Sequence, residues 1–285
     1  MVRADRIPPT LLVLAAVSSV QLGGAFAKTV FDEIGPGGTA FLRVLFAALI
    51  LAALWRPAVR GLSAAEWRLA VAYGFALVAM NLTFYEALDR IPLGIAVTFE
   101  FVGPLGVAIM GSRRPLDLVW VALAAGGILL LSDFGTADLD GLGVALALLA
   151  GCFWAAYILL AVRVGRVYEG ATGLTIGMCA GAVMLLPFGV AEAGGDLLST
   201  EAVAVALAVA VLSSVIPYSL ELEALRRLPA GVFGVLMSLE PAAAALAGFI
   251  VLDEGLATRE VLAIALVVAA SAGAARNASV PPRDA

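Results

Sequence analysis

The chain has 285 residues, of which 62% are hydrophobic and only 14% are charged. A soluble domain is about half hydrophobic and about a quarter charged, so this composition excludes one and predicts a protein embedded in a lipid bilayer. The absence of histidine, with only two cysteines, Cys152 and Cys179, argues against His-based catalysis and against a metal site. The net charge of −5, with thinly spread basic residues, argues against nucleic acid as a partner.

Ten continuous apolar runs follow one another along the chain, bounded by charged residues, proline and glycine. Each run has about the 20 residues that a helix needs to cross a bilayer, rather than the alternating pattern of about ten residues typical of a barrel strand. The sequence therefore predicts an all-α membrane protein. Its ten transmembrane helices are predicted at residues 9–27, 38–55, 67–86, 92–111, 116–132, 141–160, 172–190, 202–220, 230–251 and 257–275.

The first run could be taken for a secretory signal peptide, because Arg3 and Arg6 precede it and the small-residue motif Ala25-Phe26-Ala27 ends it. Its apolar stretch is longer than the roughly 7 to 15 residues of a signal core, and further apolar runs follow. We therefore predict that it is the first transmembrane helix.

Lysine and arginine are unevenly distributed between alternate loops, and their excess marks the cytoplasmic side of a membrane protein. With the N-terminus inside, the outer loops hold Lys28, Arg90 and Arg259, while Arg43 falls within a span. This bias predicts that both termini are cytoplasmic. The basic residues on the predicted cytoplasmic side are Arg3, Arg6, Arg56, Arg60, Arg68, Arg113, Arg114, Arg163, Arg166, Arg226, Arg227, Arg276 and Arg283.

An internal repeat divides the chain into two halves. The segment at residues 86–94 (EALDRIPLG) recurs at residues 223–231 (EALRRLPAG). The repeat predicts one unit of five helices at residues 1–140 and another at 141–285. Because five is odd, the halves enter the membrane with opposite orientation. Inverted repeats are typical of secondary transporters that bind substrate near the midplane between the halves, although a duplicated helical bundle without transport activity is an alternative.

Several longer segments of the chain form recognisable motifs. They are Gly23–Lys28 (GGAFAK), Thr39–Arg43 (TAFLR), Pro92–Leu105 (PLGIAVTFEFVGPL), Ser112–Pro115 (SRRP), Gly151–Leu159 (GCFWAAYIL), Ile216–Glu221 (IPYSLE) and Leu236–Ala242 (LMSLEPA). These motifs resemble those of the EamA-type transporters of the drug/metabolite transporter superfamily, and the last two look like those of the bacterial inner-membrane threonine/homoserine exporter subgroup. The resemblance covers essentially the whole chain, and it implies ten helices in two inverted EamA repeats, cytoplasmic termini and export of small metabolites.

Two acidic residues fall near the middle of predicted spans, Glu100 in the fourth and Glu240 in the ninth. An ionised carboxylate at this depth costs about 2.5 to 3.5 kcal/mol or more, so such groups usually have a function. We expect Glu100 and Glu240 to bind a substrate ammonium group or to exchange protons. The alternative is a structural role in which they hold helices together. Pro104 and Pro241 follow them, and each either frees a backbone carbonyl or only kinks its helix.

Arg43 lies inside the second predicted span, where its guanidinium could bind the carboxylate of a zwitterionic amino acid in bidentate fashion. The alternative is that Arg43 extends to the interface or pairs with a glutamate for stability. Asn81 and Tyr218 occupy the same position in the two repeats, so they could act as alternating gates or make ordinary hydrogen bonds between helices.

Other residues are expected to be structural. Tyr85, Trp154 and Tyr157 fall near predicted span ends, where belts of aromatic residues are common, so we expect them at the interface rather than in a cavity. A glycine every fourth residue at positions 173, 177 and 181 predicts close helix packing, within or between subunits.

The sequence predicts a secondary transporter rather than an enzyme, in the bacterial inner membrane. It would export small amino acids, threonine- or homoserine-like, by proton antiport, with the lipid bilayer and the amino acid as its partners, and it could form a homo-oligomer. No ATP-binding P-loop is present, so neither a nucleotide nor any other cofactor is expected. The alternatives are an EamA-type exporter of another metabolite or drug and, in a different class, a channel or a membrane-embedded enzyme.

Overall fold

The computed structural model describes residues 7–57, 59–110, 115–131, 139–225 and 236–278, and all regular secondary structure within these ranges is helical. The helices of the first half are α1 (Pro9–Lys28), α2 (Phe31–Trp55), α3 (Ala64–Leu88), α4 (Leu93–Glu100), α5 (Val102–Met110) and α6 (Pro115–Leu131). Those of the second half are α7 (Gly141–Val167), α8 (Thr172–Ala193), α9 (Thr200–Ala210), α10 (Ile216–Leu225), α11 (Glu240–Leu252) and α12 (Thr258–Ala278).

The all-α prediction is confirmed for the described residues. In these ranges five helical segments are long and apolar enough to cross a membrane by themselves, in α1, α2, α3, α7 and α8. The tenth predicted span corresponds to α12, which has 21 residues, and the remaining predicted spans correspond to shorter helices. Part of the ninth predicted span, residues 230–235, lies outside the described residues. The predicted boundaries are approximate, as in α7, which continues to Val167 instead of ending near residue 160.

The fourth and eighth predicted spans are interrupted rather than continuous. The break between α4 and α5 falls at Phe101, because Pro104 has no N–H to donate to the carbonyl of Glu100 four residues earlier. A π-helical turn at Val211–Val215 joins α9 to α10. Pro241 lies in the first turn of α11, where a missing N–H breaks no hydrogen bond. Glu100 therefore ends one short helix, and Glu240 begins another.

Helices of the two halves interleave in the bundle. Helix α2 packs on α8, α3 packs on α7 and α8, and α4 and α1 both contact α11. Glycines allow these close approaches: a Cβ on Gly74 of α3 would overlap the carbonyl oxygen of Gly177 in α8, and a Cβ on Gly94 of α4 would lie 2.8 Å from the Cα of Ala245 in α11. Gly177 belongs to the predicted glycine stripe, so the packing prediction is confirmed and the contact is within one subunit.

Candidate functional site

A cavity lies between the two halves, where the interrupted helices meet. Its empty volume, including the open space at its mouth, is about 790 Å³. Its lining mixes charged, polar and aromatic side chains from both halves. The lining residues are Val20, Gln21, Gly24, Arg43, Met80, Asn81, Phe84, Tyr85, Val97, Glu100, Trp154, Tyr157, Ser213, Glu221, Met237 and Glu240.

The cavity brings together both predicted acidic residues. Glu100 is 6% exposed and Glu240 is 5% exposed, and each lies at the end of a short helix that faces the cavity. Half-helix ends that meet at a central site are typical of secondary transporters, because broken helices bring backbone dipoles and side chains to the substrate. Because both glutamates line the same buried cavity, ionisation of both would place two like charges there at an electrostatic cost.

A third acidic residue, Glu221 of α10, also lines the cavity and was missed by the sequence analysis. The eighth predicted span ended at residue 220, which placed Glu221 just outside the membrane. Since α10 continues to Leu225, Glu221 is instead part of the helix wall. The sequence did contain a signal for this residue. Glu221 directly follows an apolar run and ends the motif Ile216–Glu221, which resembles that of the exporter subgroup.

Arg43 is the cation that faces these acids among the described lining residues. Its Nη1 donates to the Tyr85 hydroxyl at 3.0 Å and its Nη2 donates to the Ser213 carbonyl at 3.1 Å. The guanidinium also lies 5.5 Å from the centre of the Tyr85 ring. These contacts use part of the five N–H groups of the guanidinium, and the Arg43 charge attracts Glu100. Arg43 is 8% exposed and does not extend to the interface.

The π-helical turn provides acceptors for this part of the site. A π-turn changes the hydrogen-bond pattern of a helix locally, and such turns are frequent at functional sites. Here the Leu212 carbonyl accepts a hydrogen bond from the Ser19 hydroxyl at 2.6 Å, and the Ser213 carbonyl accepts the bond from Arg43. A Cβ on Gly23 would overlap the Ser213 hydroxyl oxygen, so this glycine lets α1 approach the turn. The π-turn therefore links α1 and α2 to the second half beside the cavity.

The predicted gate pair is only partly described. Asn81 is buried at 3% exposure, lines the cavity and donates from its amide nitrogen to the Leu77 carbonyl of its own helix at 2.7 Å. Tyr218 lies within α10, and its side chain is outside the described part of the structure. The proposed gating role of the pair is thus an open prediction.

The prediction of an interfacial position for Tyr85, Trp154 and Tyr157 is wrong, because all three line the cavity. Trp154 and Tyr157 lie near the middle of α7, whose extension to Val167 was not predicted. Tyr85 is fully buried and packs beside Phe31 of α2, with ring centres 5.5 Å apart. The aromatic rings thus form one wall of the site. Within the described residues, no group of three His, Cys, Asp or Glu is placed to hold a metal ion.

Comparison with known proteins identifies the class to which this fold and cavity belong. Residues 141–276 match the model of the EamA-like transporter family. One solved crystal structure shares the fold with a TM-score of 0.63 at 18% identity, covering 93% of this chain and 96% of that chain. The helical bundle of this chain therefore has a fold that is also seen in a crystal structure.

Comparison with individual relatives is more specific. The chain is 44% identical over 268 residues to the threonine/homoserine exporter RhtA of Salmonella typhimurium and to that of Escherichia coli K12, covering 93% of this chain and 90% of each relative. It is 26% identical over 263 residues to an uncharacterized transporter of Archaeoglobus fulgidus. The chain therefore belongs to the EamA family of membrane transporters. The predictions that it resembles this family and is not an enzyme are confirmed.

Proposed function

We propose that this protein exports a small amino acid, threonine- or homoserine-like, across the bacterial inner membrane by alternating access. The observation that carries the proposal is the cavity between the halves, in which Arg43 faces Glu100, Glu221 and Glu240. The identity of 44% with exporters named for threonine and homoserine supports the same cargo. Families with one fold can use many substrates, so the site itself must also fit the solute.

The charges of the cavity suit a zwitterion. An α-amino acid carries a carboxylate that the free N–H groups of Arg43 can bind and an ammonium group that a glutamate can bind. The side-chain hydroxyl of threonine or homoserine can bond to polar groups of the lining such as Gln21 and Asn81. When a zwitterion enters the cavity, its carboxylate and its ammonium group lose water. Bonds to Arg43 and to a glutamate would replace this lost hydration.

We further propose that transport is coupled to the counter-movement of protons. The cavity has three carboxylates and one guanidinium among its described lining residues, so three ionised acids would leave two uncompensated negative charges. Burying uncompensated charge is costly, and protonation removes that cost. Proton uptake on one side of the membrane and release on the other would then drive export.

The experiment that tests this function is counterflow of labelled threonine or homoserine into proteoliposomes that contain the purified protein. Glu240→Gln should abolish or uncouple transport, and Glu100→Gln should impair it, because each change removes an ionisable cavity group. Glu86→Gln is the matched control, since Glu86 pairs with Arg90 just after the end of α3 and is not among the cavity residues. Wild-type rates with unchanged pH dependence in both cavity variants would contradict the proposal.

A second candidate cargo is favoured by a specific observation. Phe84, Tyr85, Trp154 and Tyr157 line one side of the cavity, and aromatic walls also bind aromatic or cationic compounds. A solute panel in the same counterflow assay separates the two, because an exporter of aromatic compounds would exchange phenylalanine or a cationic dye in preference to threonine.

We propose that the membrane topology consists of ten spans in two inverted repeats, residues 1–140 and 141–285, with both termini in the cytoplasm. The supporting observations are the charge bias of the loops and the repeated segment that begins at Glu86 and Glu223. In this orientation Lys28, Leu93 and Glu254 lie at the outer end of the bundle.

A further inference from the structure

The two halves are joined by a salt bridge at the end of the bundle where α1 ends and α4 begins. Lys28 at the last position of α1 places its Nζ 2.7 Å from Oε1 of Glu254, which lies in the connection between α11 and α12. The Lys28 Nζ also donates to the Ile91 carbonyl at 3.5 Å. The side chains are 25% and 15% exposed, so this pair is partly shielded from solvent.

The same glutamate also binds the beginning of α4. Its second oxygen, Oε2, accepts a hydrogen bond from the Leu93 N–H at 2.8 Å. The first N–H groups of a helix have no partner within the helix, and the helix dipole attracts a negative charge there. One carboxylate of the second half thus holds both α1 and α4 of the first half.

The backbone around Glu254 fixes the carboxylate in this position. Asp253 adopts a left-handed conformation with φ of 55°, which turns the chain back on α11, and the Glu254 N–H donates to the Gly248 carbonyl at 3.2 Å. A Cβ on Gly248 would lie 2.6 Å from Oε2 of Glu254. The glycine therefore leaves the space that the carboxylate occupies.

A second carboxylate makes a similar contact between the halves. Glu192 of α8 accepts a hydrogen bond through Oε2 from the Gly37 N–H at 2.7 Å, directly after the non-helical Gly35 interrupts α2. Gly35 has φ of +68°, a conformation that favours glycine. In the first half, α4 thus begins, and α2 resumes after its break, against a carboxylate of the second half.

These contacts lie next to the cavity. Lys28 is one helical turn beyond Gly24 in α1, and Leu93 is one turn before Val97 in α4, and both Gly24 and Val97 line the cavity. Any movement that opens the cavity between α1, α4 and the α11–α12 connection must separate Lys28 and Leu93 from Glu254.

We propose that Lys28 and Glu254 form a latch that controls access to the cavity from this end and so sets the balance between its closed and open states during transport. The role of the latch in transport rests on the proposed function, whereas the contacts that form the latch are present in the structure itself. Lys28, Glu254 and the Leu93 N–H form the Lys28–Glu254 latch. Glu254 is the residue shared by its two contacts, so loss of its charge weakens both.

The test measures the distance across the latch without measuring transport. Cys152 and Cys179 are free and exposed, so both are first replaced by alanine. Spin labels are then attached to Asp89→Cys at the end of α3 and to Gly255→Cys, where an added Cβ meets no atom within 4 Å. The distance distribution is recorded by electron paramagnetic resonance in proteoliposomes.

Lys28→Met and Glu254→Gln should each move part of the distribution to longer distances, and the double variant should shift it no further than the larger single effect. The matched control is Glu86→Gln, which breaks the Arg90–Glu86 pair at 2.8 Å with similar exposure but within one half of the chain, at the end of α3. It should leave the distribution unchanged. All variants are compared at equal elution from size-exclusion chromatography, which removes misfolded protein.

An unchanged distribution in both latch variants, or an equal shift in Glu86→Gln, would overturn the latch. The two proposals fail separately. If the wild-type protein exchanges no amino acid but the latch variants still lengthen the distance, the proposed cargo is wrong and the latch is upheld. If transport is as proposed but the distances do not change, only the latch is wrong.

Discussion

At the scale of single residues, Arg43 is, among the described lining residues, the cation that shares the cavity with three acidic residues. Its guanidinium is oriented by Tyr85, Ser213 and, at 3.5 Å, the Ser214 hydroxyl, so its position is fixed before any substrate enters. A preorganised donor binds a carboxylate with less loss of entropy than a flexible one. Arg43 thus binds Tyr85 and Ser213 rather than extending to the interface, and it still faces the cavity, so its binding of a substrate carboxylate stays a prediction.

We expect Arg43→Lys to lower the initial counterflow rate at least about tenfold while the protein still folds. A lysine ammonium cannot bond to Tyr85 and Ser213 with the planar geometry of the guanidinium, and hydrogen bonds to charged groups contribute about 1.5 to 3 kcal/mol each. Tyr85→Phe removes only one of these bonds and should cause a smaller loss. A wild-type rate for Arg43→Lys would show that guanidinium geometry is not required.

At the scale of helices, the sequence predicted where apolar segments lie but not where they break. Hydrophobicity shows that a stretch can lie in the bilayer, whereas a break depends on partners that replace the lost hydrogen bonds. The interruption at Phe101 follows from Pro104, and the π-turn at Val211–Val215 is likewise followed by Pro217, which has no N–H to donate to the Ser213 carbonyl. The sequence shows both prolines, but it does not show which groups replace the lost hydrogen bonds of the π-turn. Its partners are Ser19 and Arg43, far away in the chain.

The contact between α5 and α7 offers a direct test of this packing. A Cβ on Gly103 would overlap the Gly151 carbonyl oxygen, whereas a Cβ on Gly106 in the same helix would meet nothing within 4 Å. Overpacking costs about 1 to 3 kcal/mol, and replacing a helical glycine by alanine without a clash gains about 0.5 to 1 kcal/mol. In detergent, Gly103→Ala should therefore lower the thermal unfolding midpoint, and Gly106→Ala should leave it unchanged or raise it. Equal midpoints for the two variants would contradict this contact.

At the scale of the whole molecule, the site could be predicted only in outline. Glu100, Glu240 and Arg43 were identified because charge inside an apolar run is visible in the sequence. Glu221 and the aromatic wall were not, because their place depends on how far α7 and α10 extend and on which helices meet across the halves. The cavity brings together residues of both halves that are distant in sequence, and the spacing of residues along one half does not determine such contacts.

The orientation of the molecule leads to the last prediction. The excess of arginine in alternate loops, together with an odd number of spans in each predicted repeat, predicts that both termini are in the cytoplasm. A reporter enzyme that is active only in the periplasm, fused after Ala285, should therefore be inactive. The matched control is the same reporter inserted at Gly195, between α8 and α9, where an added Cβ meets nothing within 4 Å. That insertion should be active, since this connection is predicted to lie on the opposite side. Activity at Ala285 with the N-terminus still in the cytoplasm would require an odd total of spans, which would contradict a pair of five-helix repeats.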